Sequence, residues 1–117
     1  MSANHSFEGI GQWAATFACN GVQAGQAVKI SGGGTVAACA DEEDFCGVVL
    51  TAGRDGKACT VALGGVVTAG WSGETAPTAG WCILSADGAG GVCVGETGTD
   101  YLVVDVDAGE KRVTFVI

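Results

Sequence analysis

Two segments of this chain carry the same hairpin pattern, and that repetition limits the architectures it can adopt. AGQAVKISGGGTVAACA (residues 24–40) and AGWCILSADGAGGVCVG (residues 79–95) each contain two short strand-like runs around a glycine-rich turn. Similar segments follow, DFCGVVLTAGRDGKACTVAL after the first hairpin and DYLVVDVDAGEKRVTFVI after the second. Because an internal repeat determines the architecture, we predict two similar four-strand units.

The two units span residues 24–63 and 79–117 in this alignment, which places Phe45 opposite Tyr101. The order of matched features is the same in both copies: an Ala-Gly pair, a glycine turn, an acidic turn, an aromatic residue and a second Ala-Gly pair. The alternative is that any two glycine-punctuated β segments resemble one another. The matched order favours duplication.

Glycine supplies 21 of the 117 residues, whereas proline occurs once. Average glycine usage is about 7%, so this excess indicates many tight turns between short strands. No stretch shows the apolar period of a helix. We therefore predict an all-β fold, a small antiparallel β-barrel or a tight sandwich. The predicted strands are 13–19, 26–31, 35–40, 45–52, 58–68, 81–85, 91–95, 101–107 and 112–117.

The polar, patternless residues 1–12 are predicted to form a flexible N-terminal arm, and residues 13–117 a single β-barrel domain. Short turns between the strands favour antiparallel neighbours, and closure into a barrel would cover the sheet edges. Gly64-Gly65 interrupts a long valine-rich run, which predicts a bulge or a bend where the strand turns a barrel corner.

The net charge of −8, with only five lysines and arginines, argues against nucleic-acid binding, which requires clustered cations. Anionic membranes are disfavoured for the same reason, and no apolar run approaches the roughly 20 residues that span a bilayer. The N-terminus MSANHSFEGIGQW lacks the basic and apolar regions of a secretory signal. We expect a soluble protein made in the cytosol.

Six cysteines in a cytosolic protein are expected to be free thiols that pack as small apolar side chains. Alternation along the strands supports this expectation, since cysteines share predicted strand faces with valine or leucine. The predicted groups are Cys46 with Val48 and Leu50, Cys59 with Val61 and Leu63, and Cys82 with Leu84.

Residues suited to catalysis are few. The single histidine, His5, lies in the predicted arm, where no scaffold would hold it against a nucleophile. GWSGE (residues 70–74) lacks the second glycine of the G-x-S-x-G motif and the strand–turn–helix context that the motif requires. The sequence therefore predicts no enzymatic activity and no cofactor.

Metal binding is not expected either. No two cysteines have the close spacing of zinc ligand pairs. The acidic groups at residues 41–44 and 105–110 lack the further ligands that a calcium site with six to eight oxygens would need. We interpret both as solvated turns.

The three tryptophans are more informative. Trp81 begins the second repeat and is expected in the core. Trp71 lies between Gly70 and Ser72 in a predicted loop, where an exposed aromatic side chain is typical of protein–protein contacts. An alternative of equal weight is that Trp71 folds back over a barrel mouth as a plug.

Four segments of the chain resemble a family of small phage proteins encoded in head operons, which look like capsid decoration proteins. These segments are Val22–Ile30, Phe45–Val49, Val61–Val67 and Val113–Ile117. The resemblance covers roughly residues 20–117. It implies a β-barrel on the exterior of the virion that binds the major capsid protein, often as a homotrimer, without catalysis. Such a protein would be made in the host cytoplasm.

The partner contacts are assigned to aromatic and aliphatic residues of the arm and the connecting loop. Phe7, Ile10 and Trp13 recur at a spacing of three in a segment that can order on a neighbour, and Trp71 is the candidate in the loop. We expect these residues to contact the capsid or an adjacent subunit. The alternative is a phage binding module on a head fibre or tail, possibly for sugars, which would need convergent polar groups and aromatic platforms.

The first prediction concerns the thiols. If all six cysteines are free, alkylating the denatured protein without reduction should modify six side chains, counted by mass spectrometry. Two or more cysteines that resist labelling until a reductant is added would show a disulfide.

Overall fold

The computed structural model describes residues 13–117, and all regular structure within them is β. The ten strands are β1 (Trp13–Ala18), β2 (Ala27–Gly32), β3 (Thr35–Ala38), β4 (Gly47–Ala52), β5 (Ala58–Gly64), β6 (Val66–Gly70), β7 (Gly80–Ala86), β8 (Val92–Val94), β9 (Thr99–Asp107) and β10 (Arg112–Val116). The predicted arm, residues 1–12, lies outside the described residues.

The strands form two five-stranded sheets. The first is a closed barrel in the order β1-β3-β2-β4-β5, and the second has the order β6-β10-β9-β7-β8. The prediction of an all-β fold containing a β-barrel is confirmed. Closure leaves the first sheet without free edges, which otherwise expose unpaired backbone groups.

The corner between the sheets lies in the valine-rich run predicted as one strand over residues 58–68. Gly65 adopts a φ of 93°, which ends β5 and sends β6 into the second sheet. A side chain at this position would be strained, so glycine permits the change of direction. The bend expected at Gly64-Gly65 is present, and it separates two strands.

The two sheets share one pattern of neighbours. In the barrel β2 pairs with β3 and β4, and β5 pairs with β4 and β1. In the second sheet β7 pairs with β8 and β9, and β10 pairs with β9 and β6. The strands β1 to β5 thus have counterparts in β6 to β10, in the same order.

The pairing register is also shared. Val48 pairs with Ala62 in the barrel, and Leu102 pairs with Val116 in the second sheet, a shift of 54 residues for both partners. Both strand pairs contain a β-bulge, between Val49 and Thr51 on β4 and opposite Thr114 and Phe115 on β9. Corresponding positions in the two halves can therefore be compared one by one.

The register corrects the alignment of Phe45 with Tyr101. Val28 pairs with Gly47 just as Cys82 pairs with Tyr101, so Gly47 is the counterpart of Tyr101. Phe45 precedes β4, and matching aromatic to aromatic placed the alignment two residues out of register.

Two apolar cores result. The barrel interior is formed by Cys19, Val22, Val28, Val36, Val49, Cys59 and Val61. A second cluster joins the outside of the barrel to the inner face of the second sheet. It contains Ala27, Cys39, Phe45, Val48, Ala62, Val67, Ala69, Trp71, Cys82, Leu84, Ala86, Val92, Val103, Val113 and Phe115.

Three neighbouring side chains form the barrel's side of the contact with the second sheet. Ala27 pairs with Val48, and Val48 pairs with Ala62, so the three lie in a row across β2, β4 and β5. All three are buried in the cluster with the second sheet, whereas the adjacent Val28 and Val49 face the barrel interior. Because successive side chains of a strand point to opposite faces, these strands contribute residues to both cores.

Phe45 extends this contact from the loop before β4. Its ring stacks on Tyr101 with 5.3 Å between centroids and meets the edge of Phe115 at 5.9 Å. Offset and edge-to-face aromatic pairs of this kind add to the free energy of burial.

Backbone hydrogen bonds join the same loop to the end of β7. The amide of Glu42 donates to the carbonyl of Ala86 at 2.8 Å, and the amide of Ala86 donates to the carbonyl of Glu43 at 2.9 Å. The Glu43 carboxylate also accepts hydrogen bonds from Lys29 Nζ at 2.8 Å and from the amide of Ala40 at 2.6 Å. Glu43 of the acidic group 41–44 therefore stabilises the loop before β4.

One predicted strand face is broken. Cys46, Val48 and Leu50 do not share a face: Cys46 precedes β4 and packs against the barrel interior, whereas Val48 is buried against the second sheet. Leu50 is 37% exposed, because the bulge between Val49 and Thr51 inserts an extra residue and changes the alternation there.

Phe45→Ala should lower the free energy of unfolding by about 3–5 kcal/mol, because the buried ring fills space between the sheets. Phe45→Leu, which keeps most of the apolar volume, should cost clearly less. Urea unfolding monitored by circular dichroism measures both. Equal losses for the two variants would contradict the argument that the volume of Phe45 stabilises the contact between the sheets.

Candidate interaction surface

The structure places the four predicted contact residues differently. Trp13 begins β1 with 67% of its side chain exposed, whereas Trp71 is buried at 8% exposure. Phe7 and Ile10 lie outside the described residues. Trp13 and Trp71 are not brought together: one lies at the start of the barrel and the other follows β6.

Trp13 is exposed but held in place. It pairs with Gly64 on β5, and its ring lies directly over that glycine. A Cβ added at Gly64 would be only 2.5 Å from Trp13 Cε2, so only glycine leaves room for the ring. An exposed tryptophan with a fixed position suits a contact with a partner, since little side-chain entropy is lost on binding.

Trp71 is buried, but it packs in the second core with the other residues of that cluster and not in the barrel interior. It forms a bridge with Val92, and its amide donates to the carbonyl of Lys111 at 2.9 Å. Lys111 Nζ lies 5.2 Å from the centre of the indole ring, within the range of a cation–π contact. The indole Nε1 is buried without a hydrogen-bond partner among residues 13–117. In this position Trp71 offers no exposed contact surface.

Trp81, expected in the core, is 70% exposed, and that expectation is wrong. The strand β7 has apolar residues on both faces, and its register turns Cys82 and Leu84 inward. Trp81 and Ile83 consequently point outward, where Ile83 is 37% exposed. Composition alone could not tell which of the two apolar faces is covered.

Trp81 is part of a row of apolar side chains that crosses the second sheet. It pairs with Leu102, Leu102 pairs with Val116, and Val116 pairs with Val66. Directly paired residues project on the same side of a sheet. The outer apolar face, as we call this surface, comprises Val66, Trp81, Ile83, Leu102, Val104 and Val116.

The four residues of the row carry no charge, and charged side chains flank the row on both sides. Asp100 pairs with Ile83, and Asp105 pairs with Thr114, followed by the pair Asp107 and Arg112. Thr68 and Thr114 lie next to the row and share a hydrogen bond of 2.9 Å between their hydroxyls. An uncharged row that includes an aromatic side chain is typical of the centre of a protein–protein interface.

The sequence contains a pattern that is typical of strands with two apolar faces. The strand segments GWCILSA and RVTFV carry apolar residues at consecutive positions, a pattern typical of strands packed on both faces. Such a pattern indicates two apolar faces but not the side that remains uncovered.

A polar cleft of about 350 Å³ lies between the two halves. Its lining includes Gln23, Gln26, Glu110, Lys111 and Arg112 together with glycine backbone. None of the lining residues is aromatic, so the cleft does not provide the aromatic platform expected of a sugar-binding module.

The six thiols are free in the structure, and four of them are buried. Burial raises the pKa of Cys39 and of Cys59 from 9.0 to about 11. A raised pKa keeps a thiol protonated near neutral pH, the opposite of what activates a nucleophilic cysteine. These two side chains serve packing.

Among residues 13–117, no three His, Cys, Asp or Glu side chains are grouped so that they could hold a metal ion. Nor does this part of the chain contain a helix with the length and hydropathy needed to cross a membrane.

The raised thiol pKa values predict loss of stability at alkaline pH. In the unfolded chain these thiols ionise near pH 9, whereas in the folded protein Cys39 and Cys59 stay protonated to about pH 11. Their contribution is complete below pH 9 and is lost as the pH rises to 11, by about 1.4 kcal/mol per pH unit for each thiol.

Urea unfolding at several pH values between 9 and 11 measures this slope. The double variant Cys39→Ala/Cys59→Ala should show a shallower decline than the unaltered protein, even if it is less stable at neutral pH. Identical slopes for the two proteins would show that Cys39 and Cys59 do not cause the loss of stability at alkaline pH.

Comparisons with known proteins give no family assignment. No protein-family model matches the chain, and a search of curated proteins finds no match.

Proposed function

We propose that this protein decorates the outside of a phage capsid, where it binds the major capsid protein as a homo-oligomer and stabilises the lattice. It acts by binding and not by catalysis. The proposal combines the resemblance of four β segments to decoration proteins with the all-β barrel. The observation that carries it is Trp13, an exposed aromatic side chain held over Gly64.

Trp13 is suited to anchor a lattice contact. Tryptophan is enriched among residues that dominate binding free energies, because its large ring buries much apolar area. Trp13 directly follows residues 1–12, which include Phe7 and Ile10. A capsid contact that begins at Trp13 can therefore extend to these two residues.

The raised pKa of Cys39 and Cys59 supports a role without catalysis, since the two thiols are poor nucleophiles. Trp71 is not part of the proposed contact, because its ring is buried among residues of the second core. The lattice contact is assigned to Trp13 and the segment before it.

Trp13→Ala should weaken binding to expanded capsids of the same phage by at least about 30-fold, as expected for a central aromatic anchor. Co-sedimentation of purified protein with capsids, over a range of protein concentrations, gives the affinity. Gly64→Ala should also weaken binding, because the new methyl group would displace the ring of Trp13.

Two controls accompany this measurement. Trp13→Phe keeps an aromatic ring over Gly64 and should retain much of the affinity, and circular dichroism should show unchanged β structure in every variant. Deleting residues 2–12 leaves β1 intact and should weaken attachment as well. Full capsid occupancy by Trp13→Ala would refute the assignment, and absence of binding by the unaltered protein would refute the function.

A further inference from the structure

The two halves of the molecule use corresponding rows of side chains differently. In the barrel, the row Ala27–Val48–Ala62 packs against the second sheet. The shared register matches these positions with Trp81, Leu102 and Val116 of the outer apolar face. The row that is covered in the first half is thus uncovered in the second.

The side chains at corresponding positions differ in size. Ala27 corresponds to Trp81, and Ala62 corresponds to Val116. Small side chains in the barrel let the two sheets approach closely. Large side chains in the second half expose apolar area, with Trp81 at 70% and Val116 at 37% exposure. An apolar sheet face that stays exposed in isolation marks an interaction site.

The charge distribution limits what can cover the face. Each chain carries a net charge of −8, so a cationic partner would be bound best through acidic side chains. The row Val66–Val116–Leu102–Trp81 has none. Two copies of this chain repel one another except where they meet through uncharged surface, and this row provides such a surface.

Self-association through this face requires no second binding surface on the molecule. An isologous contact uses the same patch on both partners, so one self-complementary apolar face is sufficient. The row spans β6, β10, β9 and β7 without interruption, which gives two such faces a broad area of contact.

We infer that the outer apolar face binds a second copy of this chain, with Trp81 as the anchor of the contact. This inference rests on the proposed function, because it names the interface between the subunits of the proposed homo-oligomer. The contact itself requires no capsid, so it can be tested with the purified protein alone.

Sedimentation velocity over a range of concentrations tests the inference. The unaltered protein should form oligomers, and Trp81→Ala should weaken the association constant by at least about 30-fold. Trp81 is largely exposed and corresponds to Ala27, so its replacement by alanine is compatible with the strand. Ile30→Ala is the control, since it removes an exposed apolar side chain from β2 of the barrel and should leave association unchanged.

Salt provides a second measure. Raising the salt concentration from about 0.05 M to about 0.5 M screens the repulsion between acidic copies and should strengthen association. An interface held by ion pairs would weaken under the same change, which would contradict the inference.

Each outcome is decisive. Oligomers of any size that weaken with Trp81→Ala but not with Ile30→Ala support the inference. A monomer at all concentrations overturns it, as does an oligomer that Trp81→Ala leaves intact. Capsid binding by a protein that remains monomeric would overturn the subunit interface while supporting the proposed function.

Discussion

The packing of the barrel's outer row, Ala27–Val48–Ala62, against the inner face of the second sheet is the contact on which the rest of the structure depends. The inner face of the second sheet is apolar, and the outside of the barrel covers it. Small side chains allow the close approach, and Phe45 fills the remaining space against Tyr101 and Phe115. Without this contact both apolar surfaces would face water.

That contact also makes the halves unequal. Strand order and register are shared, but the outer row of the first half packs against the inner face of the second sheet, which leaves the outer row of the second half uncovered. The first half contributes small residues to the covered row, and the second half presents Trp81 and Leu102 on the uncovered one. The apolar face that we assign to self-association is therefore a consequence of how two similar units pack.

The three tryptophans illustrate how far sequence reasoning reaches. Trp13 and Trp71 were both candidates for partner contacts, yet only Trp13 is exposed, and Trp81, expected in the core, is the most exposed of the three. Trp71 is buried because its bridge with Val92 draws the segment after β6 onto the second sheet. Trp81 is exposed because the pairing of β7 with β9 places Trp81 beside Leu102 and turns Cys82 inward, into the core shared with the barrel. Both outcomes depend on residues far away in the chain.

The sequence by itself determined the all-β class and most of the turn positions, because glycine turns and strand alternation are local properties. It indicated the repeat as two four-strand units and left a barrel or a sandwich open, whereas each half has five strands and the first closes into a barrel. It also located the bend at Gly65, where only glycine tolerates the backbone conformation. The tertiary structure alone decided which apolar face of β7 and β10 is covered, since both faces are apolar and only packing between the sheets distinguishes them. It also decided the register between the halves, because the bulges on β4 and β9 and the place of Phe45 depend on pairing between strands.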